Sequence, residues 1–292
     1  MKIKIHRGTH QIGGCATEIS TEKHRIIIDC GMNLPGSETD HGMTDQQLLE
    51  QLFHCGEPCD GVLFSHYHGD HIGLYREIPE KYPLYMGATA KKIQECLAER
   101  LDTLPGAAKK GLPRAEGIKP YFPGKQLVFG DITVTPYVTD HSALDAYMFF
   151  VEVDGKKVLF TGDFREHGIV GEKNTLEKLM NTYIKKADVL ITEGTMLSRI
   201  EEAKHNSIQT EKDLGECAKK LFRENKETVI LVSSTNLDSI MEFYHALPWG
   251  MDFVCDAYQA KLIRIAMADK GKYYAKYRPE MIHGRPRRFY IV

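Results

Sequence analysis

The chain of 292 residues and 33.2 kDa is long enough to bury a large core in one domain or two. With 42% hydrophobic and 27% charged residues and a formal net charge of -2, it reads as an ordinary globular protein with no global pull toward nucleic acid or an anionic membrane. No apolar run approaches the roughly 18 residues a membrane span requires, the start MKIKIHRGTHQIGG lacks the apolar stretch of a secretory signal, and the seven scattered cysteines point to reduced thiols in a cytoplasm.

The first 35 residues alternate as hairpins through MKIKIHRG and CATEIST and end in the apolar strand RIIIDCG. A helix is expected over 45–55, a strand in DGVLFSH and a helix over 88–102, with the Gly/Pro-punctuated segment 105–124 as an irregular connection. Strands follow in 126–141, 146–155 and 156–164, with VDGKK as a hairpin turn, then a helix over 174–186 and the strand ADVLITEGT. Many strands with helices added outside argue for stacked sheets covered by helices. After residue 206 the rhythm becomes βα: a helix capped at Thr210 with Asp213, strand ETVILVS, helix LDSIMEFYHAL, strand MDFVCD and helix AYQAKLIRIAMADK. The expected organisation is a core over 1–205 and a partial βα unit over 206–292 with a basic tail.

The chemistry is concentrated in LFSHYHGDHIG, residues 63–73. His66 and His68 leave the end of a strand at alternating positions, and Asp70 and His71 follow beyond Gly69. Imidazole nitrogens and a carboxylate are ligands that suit zinc, and also manganese or iron. Gathered histidines repel one another as cations, so a metal is the simplest reason to collect them. His141 in TDHS and Asp163 in VLFTGDF stand at further strand ends. Six such groups suggest two metals sharing the Asp163 carboxylate and activating a hydroxide between them.

This pattern resembles the metallo-β-lactamase superfamily, whose signature loop matches SHYHGDHIG. The resemblance implies an α/β fold, a four-layered αββα sandwich, with one metal on His66, His68 and His141 and the other on Asp70 and His71, bridged by Asp163. It makes Asp29, at the end of IIIDCG, a support for a ligand rather than a ligand itself. HRGTHQIGGCATEI, TGDFREHG and LITEGTMLSR resemble the ribonuclease J-like and polyadenylation-factor-like nucleases, the β-CASP group, which insert a second domain into the core and hydrolyse phosphodiesters. Glu193 falls at that group's first inserted-domain acidic position, where it orients a histidine or organises the site. The βα segment from about residue 206 is then the start of the insertion, and VSSTNLDSI, 232–240, matches its early part. The rest of the insertion, the last histidine of the second metal and the closing strands are not recognisable. A fragment, or a chain completed by a partner subunit or a homodimer, is therefore expected, with the second metal weakly held.

For substrate, the basic stretch 261–288 interleaves tyrosines with cations, and Lys272, Tyr274 and Arg278 are candidate contacts to single-stranded RNA or DNA. A solvated face with inward tyrosines is the equal alternative. The leading function is a dinuclear phosphodiesterase with Asp70 or a bound water moving protons. A hydrolase of small phosphoesters, thioesters or lactones and a non-catalytic or partner-completed module stand beside it.

Overall fold

The computed structural model describes residues 1–35, 43–54, 58–106, 111–171, 175–197, 200–205 and 209–274. They divide into two compact units. The first holds residues 1–139, 145–164 and 177–195; the second holds 140–144, 165–176 and the described residues from Met196 on.

In the first unit the N-terminal alternation becomes β1 (Lys2–Arg7), β2 (Ala16–Ser20) and β3 (Arg25–Ile28), paired antiparallel in sequence order. Helix α1 (Asp45–Leu49) starts at a capping box between Thr44 and Gln47 and continues as a π-helical turn, Glu50–His54. Then come β4 (Gly61–Leu63), the short α2 (Gly69–Ile72), β5 (Leu84–Gly87) and α3 (Ala88–Asp102). The Asp145 carboxylate caps α3 from another segment, accepting from Thr89 N at 2.8 Å and Ala90 N at 3.1 Å. The connection 105–124 is more ordered than its glycines and prolines suggest. It contains α4 (Gly111–Glu116) and β6 (Lys119–Tyr121), the latter parallel to β5. Pro120 is tolerated because β6 is the edge strand of the six-stranded sheet β1-β2-β3-β4-β5-β6.

The second sheet runs β11-β10-β9-β8-β7, from β7 (Leu127–Phe129), β8 (Ile132–Thr139), β9 (Ala146–Val153), β10 (Lys156–Phe160) and β11 (Val189–Ile191). Asp154 and Gly155, with φ of 51° and 67°, make the β9–β10 turn, as hairpin twist requires. Between β10 and β11 lie α5 (Thr175–Leu179) and a π-helical turn, Met180–Ile184. Ile19, Ile28 and Leu63 of one sheet close a dry core with Val134, Phe149 and Val158 of the other. α3 covers the first sheet at β5 and β6, and Tyr183 stacks on Tyr137 of β8 at 5.6 Å, completing the αββα sandwich.

The second unit carries α6 (Ile200–His205), α7 (Glu211–Glu224), α8 (Leu237–Ala246) and α9 (Ala257–Tyr274). Thr210 and Asp213 form the expected capping box. The strands expected in this unit are not laddered. Among the described residues 227–233 enters neither sheet, and 251–256 makes a single bridge at Phe253. Ile230 packs on Phe222 of α7 and Ala246 of α8, whereas Val229 and Leu231 are 66% and 81% exposed. Alternation reported the inward face correctly but not a hydrogen-bonding neighbour, which periodicity does not encode.

Candidate metal centre

Strand direction brings the site together. β3 and β4 are parallel, so Asp29 and the Ser65–His71 loop leave the same edge of the first sheet. In the second sheet β8 and β10 each run antiparallel to β9, and β11 runs parallel to β10. Thr139, Phe160 and Ile191 therefore all end at one edge, and His141, Asp163 and Glu193 follow within three residues. The two edges are tied near the loop, where Tyr147 N of β9 donates to Ser65 O at 3.0 Å; within the first sheet, Tyr121 OH of β6 donates to Phe64 O at 2.7 Å.

The loop carrying His66, His68, Asp70 and His71 is clamped by backbone. Cys15 N donates to Asp70 O (2.9 Å), Cys30 N to His71 O (2.8 Å) and Met32 N to Gly69 O (3.0 Å). This approach needs Gly31, where a Cβ would stand 1.6 Å from Asp70 O. Arg7 closes the loops from behind, donating from Nε to Gly14 O at 2.7 Å and from Nη2 to Gly31 O.

Asp29 is wholly buried with φ at 60°, a strained setting for a side-chain-bearing residue. Its carboxylate accepts from Ser65 N (2.7 Å) and Ser65 Oγ (2.8 Å) and lies 2.8 Å from His71 Nδ1. Ser65 Oγ is also 3.0 Å from His66 Nδ1. Both rings thus engage through Nδ1, leaving Nε2 for the site, as in carboxylate-supported metal histidines. Ser65 was not singled out from the sequence; its place between a strand end and the first histidine was the available signal.

Two groups of ligand atoms result, His66 with His68 and His141, and His66 with His71 and Asp163; within each group the atoms lie within 4.8 Å of one another. His141 stands two residues past β8, in the short connection 140–145 that is tethered at both ends to the second sheet. The rings of His66 and His68 are 4.7 Å apart and nearly perpendicular, and those of His66 and His71 are 4.1 Å apart. His71 Nε2 lies 3.3 Å from Asp163 Oδ1 and 3.8 Å from Asp70 Oδ2. Two ligands on one tetrahedral zinc, each about 2.1 Å away, are themselves about 3.4 Å apart, so this spacing suits an ion. Burial alone would depress His71, but the Asp29 and Asp163 carboxylates outweigh it and raise its pKa well above the ordinary histidine value. His68 is lowered, by burial first, against the pull of Asp70. His71 Nε2 is therefore set to hold positive charge, from a proton or an ion.

Glu193 Oε1 accepts from Phe164 N at 2.8 Å, fixing the turn just after Asp163. Of the candidate nucleic-acid contacts, Arg278 and the side chains of Lys272 and Tyr274 lie outside the described residues. Among those described, no helix is long and apolar enough to cross a membrane.

Comparison with known proteins places this geometry in context. The family described as Metallo-beta-lactamase superfamily matches residues 16–196. An RNase J-like protein of Methanocaldococcus jannaschii is 30% identical over 196 residues, 66% of this chain and 42% of that protein. A ribonuclease J of Helicobacter pylori is 25% identical over 266 residues, 87% of this chain and 35% of that one. The chain thus spans less than half the length of these curated relatives. Among solved structures, a protein of unknown function from Enterococcus faecalis V583 shares the fold with a TM-score of 0.75. It is 20% identical, and the match covers 99% of this chain and 76% of that one.

Proposed function

Because the chain belongs to the metallo-beta-lactamase superfamily, we propose that it is a dinuclear metal-dependent hydrolase acting on phosphodiester bonds of RNA or DNA. The observation that carries this reading is the meeting of two ligand groups at His66, each built from atoms within 4.8 Å of one another. His66, His68 and His141 would hold one ion, and His71, Asp70 and Asp163 the other, with Asp163 shared. Zinc fits the histidine-rich set best. Bound there, the ions supply the Lewis acidity that activates water and polarises the bond under attack. Asp29 and Ser65 orient the His71 and His66 rings through Nδ1. Glu193 holds the turn after Asp163. Asp70, with its side chain partly exposed, is placed to take a proton at a carboxylate oxygen. Along the sequence, this reading takes residues 1–205 as the metallo-beta-lactamase core and 206–292 as a partial β-CASP-like segment with a basic tail. The phosphodiester substrate is supported by likeness to ribonuclease J along 87% of the chain. The free thiols of Cys15, Cys30, Cys59, Cys96, Cys217 and Cys255 suit a reducing cytoplasm.

The test joins elemental analysis to hydrolysis of a fluorescent single-stranded RNA and of bis-p-nitrophenyl phosphate, in the wild type and in Asp163→Ala. The wild type should carry two metal equivalents and cleave the RNA. Asp163→Ala should lose dinuclear occupancy and most hydrolysis. Turnover of the small diester with intact RNA would move the assignment to small-molecule phosphoesters. Unchanged metal stoichiometry in Asp163→Ala would remove that residue from the centre.

A further inference from the structure

Asp140 and Arg165 form an isolated antiparallel bridge, with Arg165 N donating to Asp140 O at 2.8 Å. Asp140 directly precedes His141, and Arg165 follows Asp163 by two residues. The bridge therefore joins the two segments that bring candidate ligands from the second sheet.

Side chains reinforce it. Arg165 sends Nη1 to Glu211 Oε1 at 2.8 Å and Nη2 to Asp238 Oδ2 at 2.9 Å, and its Nε faces Asp140 Oδ1 at 3.5 Å. The Arg165 side chain is 12% exposed and that of Asp140 only 2%. Asp140 Oδ2 also accepts from Gly168 N at 2.7 Å, and Glu211 N donates to His167 O at 3.1 Å. Glu211 opens α7, and Asp238 lies in the first turn of α8. Both carboxylates thus sit where a helix N-terminus favours negative charge. Ser239 Oγ donates to Glu211 Oε2 at 2.8 Å and holds that carboxylate in place.

We propose that Arg165 is a positioning residue for the metal centre, holding the His141 segment and the Asp163 segment in register by clamping Asp140 to the N-termini of α7 and α8. The assignment rests on the metal-centre reading above. Three carboxylates surround one guanidinium, two held by hydrogen bonds from Nη1 and Nη2 and Asp140 by charge at 3.5 Å, an arrangement that suits a planar, delocalised cation. A lysine keeps the charge but places its donors on one atom. Partners that orient ligands in this way typically change metal affinity about 10–100-fold when altered.

The test measures zinc affinity by competition with a chromophoric chelator, and the absorption of cobalt(II) in the site, in the wild type and Arg165→Lys. Glu18→Gln, in a separate buried ion cluster on β2, serves as a control for general destabilisation. Arg165→Lys should bind zinc about 10–100-fold more weakly and alter the cobalt spectrum with unchanged far-ultraviolet circular dichroism. Glu18→Gln should melt earlier yet bind zinc as the wild type does. Wild-type zinc affinity in folded Arg165→Lys, or an equal loss in both variants, would overturn the proposal. Should Arg165→Lys not fold, Glu211→Gln, which keeps the shape and removes one charged contact, replaces it with the same criteria. A wild type that binds neither zinc nor cobalt would defeat the metal-centre reading itself, and this proposal with it.

Discussion

Replacing Gly31 by alanine probes the centre without touching a ligand. The added Cβ would stand 1.6 Å from Asp70 O, 2.1 Å from Asp70 C and 2.8 Å from His71 N. All three are backbone atoms, so no rotamer change relieves the clash, and the loop at α2 must retreat by more than about an ångström to reach ordinary contact. That retreat strains the clamp made by Cys15 N on Asp70 O, Cys30 N on His71 O and Met32 N on Gly69 O. At about 1 kcal/mol net for each hydrogen bond, the loss is about 3 kcal/mol. A protein of this size should then melt about 6–12 °C lower, yet remain folded against a total stability of about 5–15 kcal/mol. The ligands suffer more than the fold, because metal–ligand distances tolerate only about 0.2 Å. Calorimetry combined with elemental analysis after gel filtration should show a folded protein with a lower melting temperature and the ion on His71 lost. Gly31→Ala with wild-type melting and full metal content would refute the close approach and the inference from it.

Asp29→Asn keeps a residue type that tolerates positive φ but removes the anion facing His71 Nδ1 and Ser65. Zinc affinity should fall about 10–100-fold by chelator competition; an unchanged value would separate Asp29 from the centre. Glu18 is lowered to about 2, chiefly by its hydrogen bond with His6 against the cost of burial, with Arg25 assisting. A depressed carboxylate stabilises the fold above its unfolded value of 4.5, and that contribution is lost as pH falls from there toward 2. It amounts to about 3 kcal/mol for this largely buried group. Urea unfolding of wild type and Glu18→Gln should show a stability gap that narrows as pH falls from 4.5 and closes only near 2; a constant gap across that range would count against the His6–Glu18–Arg25 cluster.

Much of the centre was legible because it is local in sequence. His66, His68, Asp70 and His71 lie within six residues; the three histidines fall in the two candidate ligand groups, whereas Asp70 falls in neither. Asp29, His141 and Asp163 were legible one at a time, as polar residues closing apolar strands. Their convergence depends on strand direction, which alternation alone leaves open. The partition of ligands also needed coordinates, since His66 belongs to both groups. The Arg165 clamp lay beyond sequence reading. Its partners Glu211 and Asp238 are 46 and 73 residues away, and nothing local marks the pairing. α4 and β6 were hidden by Gly111, Pro113 and Pro120, which here lie within short elements rather than in a structureless loop. The apolar segment 227–233 showed the opposite failure, because its alternation reports a half-buried surface whether or not a neighbouring strand is present.

The residues that follow strands β3, β4, β10 and β11 have a consequence for timing. Asp29, His66, Asp163 and Glu193 are spread over more than half the chain, and they meet only when the parallel pairs β3–β4 and β10–β11 have closed. Contacts of such long sequence separation form late, because each must first overcome the entropy of closing a large loop. The centre is therefore among the last features to assemble, and a metal ion favours the chain whose sheets are already in register. On the metal-centre reading, ion capture would act as a latch on completed folding, withdrawing finished molecules from the unfolding equilibrium by mass action.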